Sequence, residues 1–84
     1  MNEEMMIVKD ALKAVQLSGT HGQLKSALLD ALRTPDGQQL TPEQQGVIWG
    51  TLTGRGWIVG YVEPLWGNMR WRLTVAGMRA LEQM

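Results

Sequence analysis

The sequence predicts an α+β fold, mostly α: three helices, a two-stranded β-hairpin and a short C-terminal helix in 84 residues. Three observations carry that expectation. Apolar side chains recur at helical spacing through the first third, and a Thr-Pro start signal opens another helix at residue 41. Two β-rich stretches, WIVGYV and MRWRL, then lie one loop apart. A chain this short has room for one core, so a single domain over 1–84 is expected. With 44% hydrophobic and 19% charged residues it has the composition of a folded globular protein.

The first helix is expected over residues 3 to about 17, with Met5, Val8, Leu12 and Val15 on one face. Glu3 and Glu4 suit the positive end of its dipole, and Ser18-Gly19 is a plausible stop. Met6, Ile7, Ala11 and Ala14 widen the apolar surface, which fits burial on two sides and also offers the edge of a dimer interface. Thr20 is the expected cap of a second helix, in which Leu24, Ala27, Leu28, Ala31 and Leu32 repeat at i, i+3 and i+4. That helix should end before Thr34-Pro35. TPDGQQL then reads as a loop built on a Pro-Asp-Gly turn.

The third helix, about residues 41–54, has the clearest start: Thr41 as N-cap, Pro42 at the first helical position, and Gln44 completing a capping box. Val47, Ile48, Thr51 and Leu52 are expected to face the core, and Gly54-Arg55-Gly56 to end the helix. Gly46 and Gly50 share one face. Each costs about 1 kcal/mol relative to alanine inside a helix, so the pair is read as a place where a DNA backbone or another helix comes close. In the hairpin, Trp57 and Tyr61 share a strand face. Met69, Trp71 and Leu73 should point inward while Arg70 and Arg72 project together from the opposite face. Thr74 caps the last helix, VAGMRALEQM, whose Met78 and Leu81 should point back to the body.

The residues argue against catalysis. No cysteine is present, which removes disulfides, thiolate metal sites and cysteine nucleophiles. His21 is the only histidine and has no nearby partner for a metal or general-base role. Ser18 and Ser26 lack a nucleophile context, and no glycine loop is arranged to cradle phosphate. A non-enzyme without cofactor or metal is expected. The N-terminus reads MNEEMM, acidic where a signal peptide would be basic, and the longest apolar run is too short to span a bilayer, which points to a cytoplasmic protein. Positive charge gathers late in the chain: Arg55, Arg70, Arg72 and Arg79 stand against Glu63 alone over residues 55–79.

Three helices followed by a hairpin is the order of a winged helix-turn-helix domain. The stretch GWIV…RWRLTVAGMRAL resembles the wing of MarR-type and PadR-type bacterial regulators, through Gly56, Trp57 and Ile58, then Trp71, Leu73, Thr74 and Gly77. The match covers roughly residues 41–81, and the first two helices by pattern only. The resemblance implies a small transcription regulator of a bacterial or phage-like kind that binds double-stranded DNA. Its third helix would enter the major groove through Gln44 and Gln45, while Arg55, Arg70 and Arg72 meet the backbone or a narrow minor groove. A homodimer through the first helix would supply the surface that one small module lacks.

The same scaffold also supports a different use, as a protein-protein interaction module without nucleic acid. The chain has no net charge, and its third helix has no basic residue before Arg55. Leu65 and Trp66 sit in the hairpin loop as a natural anchor for a protein partner at the wing, and Trp49 lies at the edge of the third helix's apolar face.

Overall fold

The computed structural model describes residues 2–84. It is α+β and mostly helical, with α1 (Glu3–Leu17), α2 (Lys25–Ala31), α3 (Pro42–Gly54), β1 (Ile58–Val62), β2 (Met69–Leu73) and α4 (Val75–Gln83). Asn2 caps α1, its side chain accepting from the Met5 amide at 2.8 Å, and two glutamates occupy the first turn. Ile7, Val8, Ala11, Leu12 and Val15 are buried, and α1 packs against α2, α3, α4 and β2. The width of its apolar surface is therefore largely taken up inside the chain, with Met6 and Leu17 left exposed.

The second helix departs from expectation. Thr20 does not cap it; α2 starts at Lys25, behind Leu24, which makes no side-chain cap bond. The intervening residues are held elsewhere. Gln23 pairs with Trp71, donating at 2.9 Å and accepting at 2.8 Å, so β2 has neighbours on both edges at that point. Tyr61 donates its hydroxyl to the carbonyls of Thr20 and His21. Local helical spacing loses here to long-range bonds that extend the segment. Gly22 makes the crossing possible: its φ is +80°, and a Cβ there would stand 2.8 Å from the Trp71 carbonyl oxygen.

Beyond Ala31 the chain extends through buried Leu32, and Arg33 bridges to Gln39. The Pro-Asp-Gly turn closes this loop, with the Gly37 amide on the Thr34 carbonyl at 2.8 Å and the Thr34 amide on the Gln38 carbonyl at 2.8 Å. The α2–α3 connection is thus pinned rather than open. At α3 the capping box forms, Gln44 N to Thr41 Oγ1 at 3.2 Å and Thr41 N to Gln44 Oε1 at 2.9 Å. Only Ile48 and Leu52 of α3 are buried. Val47, expected in the core, is 52% exposed, because α3 rests on the body along one stripe. Among the described residues nothing makes the expected close approach at Gly46 and Gly50, since a Cβ at either would meet nothing within 4 Å.

β1 and β2 pair antiparallel with Ile58 opposite Leu73, Gly60 opposite Trp71 and Val62 opposite Met69. Alternation then puts those three pairs on one side, and Val59, Tyr61, Arg70 and Arg72 on the other. The inward side is buried only near the body. Ile58 is fully packed, and the Trp71 ring meets Trp49 edge-on with centroids 4.6 Å apart. Met69, expected to face the core, is 48% exposed because the hairpin extends past it. Thr74 caps α4 through the Gly77 amide at 3.0 Å and donates to the Gly56 carbonyl at 2.6 Å. Gly77 is buried against Trp57 and Leu81 packs on the core, but Met78 points outward, against expectation. Seating α4 on Gly77 places position 78 about 100° round the helix, off the buried face.

Candidate functional site

The two hairpin arginines share a strand face, as expected, yet they are not equivalent. Arg70 pairs with Glu63, Nε to Oε2 at 3.0 Å, both side chains less than one-fifth exposed, and reaches the Gly22 carbonyl at 3.4 Å. It is the only ion pair among the described residues. Arg72 is exposed and lies 4.4 Å from the centre of the Tyr61 ring. Tyr61 is in turn anchored to the α1–α2 turn. The opposite hairpin face carries Trp71 and meets α3 through Trp49. The arginines and α3 therefore lie on different sides of the sheet.

Along α3, Gln44 is half-buried and its side-chain oxygen is used in the capping box. Gln45 is also half-buried, lining a shallow depression of about 220 Å³ beside Lys25, Leu29 and Trp49. The Lys25 ammonium stands 4.9 Å from the Trp49 ring centre, and Arg55, beyond the helix end, lies 5.1 Å from that of Trp57. The exposed residues of α3 are Pro42, Glu43, Gly46, Val47, Gly50 and Gly54. This outward surface has no cation and few side-chain donors with which to read a base edge.

The hairpin tip is of another character. Leu65 is 84% exposed and Trp66 73%, with Val62 and Met69 exposed behind them. The tip is not loose: the Glu63 amide bonds to the Asn68 carbonyl at 2.8 Å and the Gly67 amide to the Glu63 carbonyl at 2.9 Å. A closed turn thus presents two large apolar side chains at the end of an arm.

A groove of about 360 Å³ that sequence reasoning missed runs between the N-terminal halves of α1 and α3. Ile7, Val47 and Ile48 give it an apolar lining, and Glu3, Glu4, Glu43 and Gln44 give it polar walls. Each glutamate was legible as a first-turn acid. That the two helix starts converge was not, because only packing sets their distance.

Among the described residues no cluster of histidine and carboxylate side chains is arranged to hold a metal ion, and His21 is exposed. No helix among them is long and apolar enough to cross a membrane. Comparison with protein-family models finds no match, and comparison with curated proteins and with solved structures finds none either.

Proposed function

We propose that the chain is a protein-interaction module on a winged-helix scaffold, engaging its partner through the hairpin tip. The order of helices followed by a hairpin, with Gln23 added to the edge of β2, supports the scaffold. The observation that carries the function is the pair Leu65 and Trp66, adjacent, almost fully exposed and fixed on a hydrogen-bonded turn. A tryptophan presented this way loses little conformational freedom on binding and has a large apolar area to bury, the usual character of an interface hot spot. The outer surface of α3, which carries Glu43 and no cation, and the pairing of Arg70 with Glu63 support this use over a polyanion. Affinity capture with the wild type and Trp66→Ala tests it. The variant should keep its fold and lose a defined partner, and an identical set of captured proteins counts against the tip as an interface.

Double-stranded DNA is the second reading, favoured by one observation: Lys25, Arg55 and Arg72 have no carboxylate partner and each lies over an aromatic ring that orients it. On that reading Lys25, Arg55, Gln44 and Gln45 are contact residues on the α3 side, Arg72 meets the duplex from the far face of the hairpin, and the chain acts in transcription regulation. Duplex titration at two salt concentrations decides it. Salt-dependent binding that weakens on Arg72→Ala supports DNA, and no binding at low salt refutes it.

A further inference from the structure

We propose that the partner of the hairpin tip is a second copy of this chain, with Leu65 and Trp66 of one copy seated in the α1–α3 groove of the next. The inference rests on the reading of the tip as an interaction surface and names what covers it.

The two surfaces are complementary in shape and chemistry. Trp66 brings an apolar ring and one N–H donor with no acceptor. The groove brings an apolar lining, from Ile7, Val47 and Ile48, with carboxylate walls from Glu3, Glu4 and Glu43. Among the described residues, only Glu4 of those carboxylates has a side-chain partner, the Thr51 hydroxyl at 3.4 Å, and none is paired with a cation. An indole laid on this lining points its N–H at an acceptor-rich edge, the arrangement that suits a half-apolar, half-wet residue. The volume of about 360 Å³ has room for a large side chain. Charge agrees: with Arg70 paired to Glu63, Arg72 leaves the hairpin net positive, whereas every charged residue of the groove is acidic.

Knob and groove occupy different parts of the molecule, so the contact is head-to-tail, not two-fold. Contacts of that type build rings or open chains. The contact is small, so association belongs at high micromolar concentration and shows as a concentration-dependent rise in mass.

Sedimentation equilibrium on the full chain tests the proposal. The wild type should rise above monomer mass with concentration, and Trp66→Ala or Val47→Arg should each weaken association by on the order of tenfold or more. Val47 is exposed, so its replacement fills the groove without disturbing the core. The decisive sample is an equimolar mixture: Trp66→Ala retains a groove and Val47→Arg retains a knob, so the mixture should form pairs that neither variant forms alone. A wild type that stays monomeric up to about 1 mM overturns the proposal. So does association that survives Val47→Arg, or a mixture that fails to pair. If instead self-association is absent while Trp66→Ala still loses a captured protein, the tip remains an interaction surface and only its occupant is wrong.

Discussion

Gly77→Ala adds one methyl group at the tightest point in the molecule. A Cβ at Gly77 would stand 2.1 Å from the Trp57 carbonyl oxygen, more than 1 Å short of ordinary contact, which begins near 3.4 Å. The obstacle is backbone and cannot rotate away. The same oxygen accepts from the Thr74 amide at 3.0 Å, so moving α4 back strains the bond that opens it. Overpacking of this kind costs about 3 kcal/mol, and the weakened hydrogen bond about 1 more. Alanine's better helix propensity offsets at most about 1 kcal/mol. A net loss of about 3 kcal/mol remains, which lowers the thermal midpoint by about 12–24 °C in a domain this size. Gly50→Ala is the matched control, because a Cβ there meets nothing within 4 Å. It should gain about 1 kcal/mol and raise the midpoint by about 4–8 °C. Thermal melts followed by far-UV circular dichroism measure both. An unchanged midpoint for Gly77→Ala refutes the packing argument, and a lowered one for Gly50→Ala shows that α3 is covered on that face.

Further outcomes follow from the same contacts. Thr74→Ala removes both the cap on the Gly77 amide and the bond to the Gly56 carbonyl, and should cost about 1–2 kcal/mol, read as a lower urea midpoint at unchanged slope. Glu63→Gln takes the charge partner from Arg70, and because both side chains are mostly buried it should cost about 1–3 kcal/mol with little dependence on salt. An unchanged urea midpoint would show that Glu63 does not hold Arg70. Trp66→Ala should leave the melting temperature within about 4 °C of wild type, since surface changes lie within about 0.5 kcal/mol. A large drop would place Trp66 against the body.

Much of the secondary structure was legible where it depends on neighbours in the chain. Thr41, Pro42 and Gln44 form the capping box they spell, Thr74 caps α4, and the hairpin lies between Ile58 and Leu73. The errors share a cause. Thr20 has a cap's chemistry, yet the next residues extend because Gln23 bonds to Trp71, 48 positions away. Val47, Met69 and Met78 were expected inward, but α3 rests on the body along one stripe that leaves Val47 out, the hairpin extends past Met69, and Met78 lies about 100° round α4 from buried Gly77. Periodicity tells which side chains share a face, not how far a neighbour extends to cover it.

The site divides along the same line. From sequence alone, Arg70 and Arg72 share a face, Leu65 and Trp66 sit at a tip, and no cysteine chemistry is possible. Covalent spacing and strand pleat determine these at short range. Only the tertiary structure decided that Arg70 is neutralised by Glu63, that the arginines face away from α3, and that Glu3, Glu4 and Glu43 converge on one apolar groove. Those are distances between segments far apart in the chain, and they are set by how the elements pack around α1.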